Sequence, residues 1–292
     1  MAEALYNRLY RRLEPVRWSL ADIRFDAIDK AKVSQETLGF VKVNCLLELS
    51  SLYATRMFLR DFREDADFCQ FMSIWYFEEM RHYLVLCEYL KQFGMEPQPE
   101  ELPAYDAELK EAPWPATLAM HWCGEVRLGG WYLRWASLVD QEDPVLAGIF
   151  RTIAEDEYRH AQCYEDFMHR ALETRPELLA DFLNTAKWML VNPRSDKHPT
   201  TFAEGSADGL AVSDHIAGYQ AFLARLQDTA TEEEEARMER RILKTLSRLS
   251  GRELQSRADL VRLTREKQRS AAAPAAAPAA DPSDSADLPS AR

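Results

Sequence analysis

The sequence predicts an all-α fold, a four-helix bundle with additional C-terminal helices. Three observations carry that expectation. Glycine and proline are sparse before residue 190, helical periodicity dominates the apolar pattern, and no Asn-Gly or Asp-Gly turn joins two alternating runs. The single Asp-Gly, at Asp208 and Gly209, sits in a polar stretch.

Long helices are expected over 33–61, 65–93, 113–141 and 143–173, with turns marked by the stretch from Gly94 to Pro103 and by Asp143-Pro144. Shorter helices are expected over 176–191, 208–228 and 232–269, with NPRSDKHPTTFAEGSADG as a surface loop between them. From Ser270 the chain is of low complexity, rich in alanine and proline, and has nothing large to bury, which predicts a disordered tail. The expected organisation is a bundle over 1–200, a helical extension over 201–269 and a tail over 270–292.

A formal charge of -12 over 292 residues argues against general nucleic-acid binding. No apolar run approaches the ~20 residues that a membrane-crossing helix needs. The opening MAEALYNRLYRRLEPVRW lacks the continuous apolar stretch of a secretory signal. Cys45, Cys69, Cys87, Cys123 and Cys163 are odd in number and form no C-x-x-C pair, which reads as reduced thiols in a cytoplasmic protein.

FEEMRHYLVL puts His82 three positions after Glu79 in a run that otherwise reads as buried helix, and EDEYRHAQCY repeats the device with Glu157 and His160. Each pair falls on one helix face. Glu78 and Asp156 hold equivalent places in the two strings. One helix earlier each half carries an isolated acid: Glu48 is the only one between Glu36 and Asp61, and Glu125 the only one between Glu111 and Asp140. Glu48 precedes Glu79 by 31 residues and Glu125 precedes Glu157 by 32, so each helical hairpin sets its acids at matching depth. A lone Glu on each of two helices and a Glu-x-x-His on each of the other two is the ligand set of a di-metal carboxylate bundle. Four carboxylates buried without cations cost several kcal/mol per ion, and two divalent metals remove that cost. Oxygen ligands with one imidazole per metal suit iron, with manganese as the alternative, rather than structural zinc. Taken singly, a buried Glu more often pairs with Arg or Lys, and one Glu-x-x-His is common by chance; the doubled pattern is what points to metal.

The span 35–175 resembles the ferritin-like di-iron superfamily, and within it is most similar to the soluble acyl-(acyl carrier protein) desaturases. The likeness lies in TIAEDEYRHAQCYEDF, with Tyr164 four residues after His160, in FEEMRHYLVLCEYLKQFG, and in Glu125 followed by Arg127. The resemblance implies Glu48, Glu79, His82, Glu125, Glu157 and His160 as iron ligands. It also implies that Glu78 and Asp156 each bind the free ring nitrogen of the histidine from the other hairpin, which would fix its tautomer. The chain is shorter than those desaturases, and Leu128 stands where they share a threonine. It has neither a rubredoxin-like cysteine set nor the short length of a ferritin.

Around this set, His121, Leu128 and Gly129 are the candidates for a substrate pocket, with Asp156, Glu78 and Tyr164 as catalytic candidates. Gly129 lies one turn beyond Glu125, so it either leaves room for substrate or serves close helix packing. Gly129 and Gly130 in mid-helix each cost roughly 1 kcal/mol against alanine. His121, one turn before Glu125, is a seventh ligand or a core histidine. Tyr164 is a redox-active phenol or, as the plainer reading, a hydrogen-bonded structural tyrosine; Trp75 is an electron conduit or core. His169 points to the opposite face, and His198 and His215 fall outside the bundle. From Arg237 to Arg269 the chain is near +7 against near -19 for the rest, which suits a solvated helix, a homodimer contact or an acidic carrier protein.

The function expected is a di-iron, dioxygen-activating oxidoreductase acting on an organic substrate by desaturation, hydroxylation or N-oxygenation. It needs an external electron donor, a ferredoxin or a reductase, and acyl carrier protein is a candidate partner. The alternatives are an iron-handling or peroxide-detoxifying protein of the ferritin and rubrerythrin type, and a metal-stabilised interaction protein without catalysis.

Overall fold

A computed structural model describes residues 3–101, 113–191, 221, 224–225 and 231–272. Nine α-helices and no strand occur among them: α1 (Leu5–Leu13), α2 (Gln35–Glu48), α3 (Ser51–Asp61), α4 (Ala66–Lys91), α5 (Trp114–Val139), α6 (Pro144–Thr174), α7 (Leu179–Val191), α8 (Glu232–Ser250) and α9 (Arg257–Ala272). The all-α expectation holds. The helix expected over 208–228 falls almost wholly outside the described residues, as do the loop before it, His198, His215 and the tail beyond residue 272.

Side-chain caps fix where the long helices begin. Ser34 accepts from the Thr37 N–H at 3.2 Å, Asp65 from Phe68 at 3.1 Å and Asp143 from Val145 at 2.9 Å, with Pro144 following as a first helical residue. Three expectations need correction. The helix over 33–61 is two helices, because Ser51 Oγ bonds the Glu48 carbonyl at 2.8 Å and the chain tightens into a turn, with Ser50 N–H on the Leu47 carbonyl at 2.8 Å. The helix over 232–269 is also two, closed by Gly251 at φ 64°, the left-handed stop that glycine takes without a Cβ penalty. The N-terminal stretch, where no helix was expected, contains helix α1. Its Leu5, Leu9 and Leu13 form an i, i+4, i+8 buried stripe, and its first N–H groups bond the Asp67 carboxylate at 2.9 and 2.8 Å.

α2 packs on α4 and α5 packs on α6, and the two hairpins meet through α4 and α6. The apolar interior is divided in two. One cluster takes Phe68–Trp75 positions of α4, Leu118–Val126 of α5 and Ala161–Met168 of α6, together with α1, α7 and the inner faces of α8 and α9. The other takes Leu38–Cys45 of α2, Val85–Leu90 of α4, Tyr132–Val139 of α5 and Leu146–Ala154 of α6. Between them every helix of the bundle contributes buried or half-buried acids and histidines: Glu48, Glu79, His82, Glu125, Glu157 and His160. A polar layer thus sits midway along an otherwise apolar bundle.

The basic segment of α8 and α9 shares this core through Ile242, Leu243, Leu246, Leu260 and Leu263. Several of its cations are engaged within the chain, Arg248 with Glu165 at 2.5 Å and Arg241 over the Tyr158 ring at 3.8 Å.

Candidate metal centre

The six side chains of the polar layer form two overlapping groups, each able to hold a metal ion: Glu48, Glu79, His82 and Glu157, and Glu79, Glu125, Glu157 and His160. Within a group the offered ligand atoms all lie within 4.8 Å of one another. Glu79 and Glu157 belong to both and are placed to bridge. His82 Nδ1 is 3.7 Å from Glu48 Oε2 and 3.7 Å from Glu157 Oε1, while His160 Nδ1 is 3.1 Å from Glu79 Oε1 and 3.8 Å from Glu125 Oε2.

Five polar atoms of the layer, Glu79 Oε1, His82 Nδ1, Glu125 Oε2, Glu157 Oε2 and His160 Nδ1, are buried without a hydrogen-bond partner among the described residues. Buried polar atoms are normally paired, and an unpaired one costs about 1–3 kcal/mol. Five that converge on one place fit a pair of cations. The protonation states fit as well. Burial first, then repulsion from Glu125, pushes the Glu79 carboxyl up to about 7. Glu157 rises well above the carboxylate range through burial and the neighbouring Glu79 and Glu125. Glu125 is buried too, but its neighbours Glu157 and His160, and the hydrogen bond from Trp75 Nε1 at 3.0 Å, outweigh that and hold it down to about 2. Without metal, protons are what keep the layer from repelling itself.

The outward ring nitrogens are tied down across the bundle. His82 Nε2 lies 3.2 Å from Asp156 on α6, and His160 Nε2 lies 3.0 Å from Glu78 on α4. Burial opposes ionisation of both acids, yet bonds from the histidines and nearby arginines hold them below their ordinary range. An ionised carboxylate only accepts, so Nε2 carries a proton toward each acid, which leaves Nδ1 as the nitrogen that would give its lone pair to a metal in the layer.

Three contributors escaped the sequence. Arg17 Nε donates to Glu78 at 3.0 Å, and Trp18 Nε1 donates to Asp156 at 2.5 Å. Arg81, buried on α4, covers the Trp18 ring at 4.2 Å. The segment carrying Arg17 and Trp18 crosses the bundle, which no local signal announces. Tyr132, whose hydroxyl donates to Glu48, follows Glu125 by seven residues, so its helical face was readable.

The remaining candidates lie outside the two groups. Gly129 does not open a pocket. A Cβ there would lie 2.8 Å from the Tyr158 ring, and one at Gly130 would lie 2.7 Å from Met238 Cγ, so the pair serves close packing against α6 and α8. Leu128 is half-buried and His121 belongs to neither metal group. His121 lies against Phe58 at 4.4 Å, and burial pulls its imidazole down to about 4, so it is neutral at neutral pH. Tyr164 is fully buried against Phe58 and Phe71, and its hydroxyl has no hydrogen-bond partner among the described residues, unlike the bonded tyrosine expected. His169 is turned outward toward Glu165.

Among the described residues no helix is long and apolar enough to cross a membrane. No curated protein matches the chain. Over residues 133–192, which include Glu157 and His160, the chain is similar to a family described as fatty acid desaturase.

Proposed function

We propose that the chain is a non-haem di-iron oxidoreductase of the desaturase kind, taking electrons from an external donor and oxidising an acyl or other organic substrate with dioxygen. One observation carries the reading: two four-residue ligand groups share Glu79 and Glu157 and leave five unpartnered atoms facing inward. The similarity to fatty acid desaturases over residues 133–192 supports it. In this reading Glu48, Glu79, His82, Glu125, Glu157 and His160 are the ligands, and a ferrous pair supplies dioxygen reduction when bound.

The chain's own residues do the rest. Asp156 and Glu78 hold the histidine rings, and with them their tautomers. Trp75 and Tyr132 orient Glu125 and Glu48, and the apolar layers above and below keep water from the reacting atoms. Trp18, Asp156 and His82 form one hydrogen-bonded line from the N-terminal segment to the layer, a route by which an electron and its proton reach it together. The electron donor is a ferredoxin or a reductase, the protein is cytoplasmic, and α8 and α9 offer the basic face to an acyl carrier protein or to a second copy.

The test is anaerobic loading with ferrous iron, then oxygen with an acyl-carrier or amine substrate. The expected result is about two irons per chain and oxidised product only when an electron donor is present. Two irons with oxygen uptake but no oxidised product from either substrate class would favour an iron-handling protein. No metal uptake would remove the reading altogether.

A further inference from the structure

Cys45 on α2 and Cys87 on α4 take no part in the function proposed above. Cys45 is fully buried, and its Sγ lies 3.6 Å from the carbonyl oxygen of Tyr83. Tyr83 is one turn before Cys87 on the same helix, and a helical side chain covers the turn N-terminal to its own Cα. The thiol of Cys87 therefore reaches the same place, so the two sulfurs neighbour each other beside the Tyr83 side chain. The remaining thiols have other partners or surroundings: Cys69 bonds the Phe62 carbonyl at 3.3 Å, Cys163 accepts from Arg12 at 3.3 Å, and Cys123 is buried on α5.

The two members of the pair are unlike. Cys87 is only half-buried, whereas Cys45 lies behind it out of solvent. The neighbouring Cys45, and then Tyr83, draw the Cys87 thiol below its ordinary range against the opposing effect of burial. A thiol drawn down in this way gives up its proton more readily than its neighbours, and the thiolate is the form that attacks oxidants. Burial raises the Cys123 and Cys163 thiols to about 12 and about 11, so they stay protonated.

We propose that Cys87 is a peroxide-reactive thiol that closes a disulfide with Cys45 and so ties α2 to α4. In the first step the Cys87 sulfur attacks the O–O bond of hydrogen peroxide. A sulfur–oxygen bond forms, the O–O bond breaks, and the departing hydroxide takes a proton to leave as water. In the second step the Cys45 sulfur attacks the sulfenic sulfur of Cys87, and the oxygen leaves as water with the Cys45 proton. Two thiols and one peroxide become one disulfide and two waters. The bond joins the helix ending in Glu48 to the helix carrying Glu79 and His82, three residues before the first and five after the last.

The experiment uses the full-length chain loaded with zinc, so that peroxide is not consumed at a redox-active metal, and one equivalent of hydrogen peroxide at neutral pH. Free thiols are then blocked and the protein is digested for mass mapping. The expected product is a peptide pair joined through Cys45 and Cys87 and released by dithiothreitol, with titratable thiols falling from five to three. In Cys45→Ser the same treatment should stop at a sulfenic acid on Cys87, trapped by dimedone at least ten-fold faster than at any other cysteine. Five surviving thiols, oxidation spread evenly over Cys69, Cys123 and Cys163, or a Cys45→Ser protein with no adduct at Cys87 would each overturn the proposal.

Discussion

The two hairpins carry the same acid-and-histidine pattern and hold it differently. In the second, Glu125 lies in the middle of the unbroken α5, fully buried, with Trp75 donating to its carboxylate at 3.0 Å. In the first, Glu48 is the last residue of α2, at the turn that separates it from α3, and its side chain keeps 11% exposure. Its one polar anchor among the described residues, beyond the histidine it faces, is Tyr132 from the other hairpin. Equal spacing in sequence has thus produced a half-site that is preorganised and a half-site that sits at a helix end. Preorganised ligands cost little to bring to a metal, whereas a ligand at a fraying end must be ordered on binding. The Glu48 side is the one expected to exchange its metal and admit small molecules.

The sharpest way to break this comparison is to remove what the half-sites share. Glu157 belongs to both groups, so Glu157→Ala should lower bound metal from about two to well below one per chain, since neither group keeps four ligands. Metal analysis after gel filtration checks it. Loss of a single metal would mean that Glu157 is not a bridge and that the half-sites are independent.

Next in size is a paired substitution at the unshared acids. Glu48→Ala leaves Glu79, Glu125, Glu157 and His160 whole, so about one metal should remain; it strands the Tyr132 hydroxyl, but at the partly exposed helix end water can take up that donor, so Tm should fall by less than in Glu125→Ala. Glu125→Ala should also cost one metal, but it strands the buried Trp75 N–H, a loss of about 1–3 kcal/mol. Thermal melts of the two metal-free variants side by side measure the difference. Equal Tm values would erase the asymmetry.

The extent to which this was legible in the sequence follows from which interactions are local. The four bundle helices and the co-location of six side chains could be read because Glu-x-x-His is a within-helix spacing and each lone acid stands alone in an apolar helix. The break at Leu49 and Ser50 was hidden because two serines are tolerable inside a helix until one of them takes the Glu48 carbonyl. Gly129 could be either space for substrate or close packing, because its helical phase faces the site in both cases; Tyr158, from another helix, fills that position and decides for packing. Trp18 and Arg17 reach Asp156 and Glu78 across about 138 and 61 residues of sequence respectively, and nothing near them signals it. What was missed is tertiary, and what was found is periodic.

A smaller effect concerns protons. Glu79 has its carboxyl raised from 4.5 to about 7, and Glu157 is raised further by burial and its acidic neighbours. A carboxyl raised on folding contributes stability that is fully present below the unfolded value and lost as pH climbs through the folded one. The metal-free protein should therefore lose stability as pH rises above about 4.5, through about 7 for Glu79 and beyond that for Glu157. Metal replaces those protons, so its stabilising effect should grow over the same window. Tm measured with and without saturating manganese should differ more at pH 8 than at pH 6. A gain independent of pH would show that the layer binds metal without releasing protons.

The smallest expected effect isolates the one anchor of the looser half-site. Tyr132→Phe deletes a hydroxyl that is buried, donates to Glu48 and has its own ionisation pushed well above the usual tyrosine range, first by burial and then by Glu48 and Glu157. The ring stays packed against Trp135 and Phe150, so folding should be nearly unaffected. A single hydrogen bond to a charged group is worth about 1.5–3 kcal/mol, and a bond to the outermost ligand should cost less once metal holds the same carboxylate. Affinity at the weaker metal position should fall by a factor of about 3–10 while the tighter position stays unchanged, as read by competition against a chelator. If both positions weaken together, Tyr132 supports the whole layer and the half-sites are not separately anchored. If neither moves, Glu48 is held by the metal alone and its place at the helix end is the entire cause of the difference.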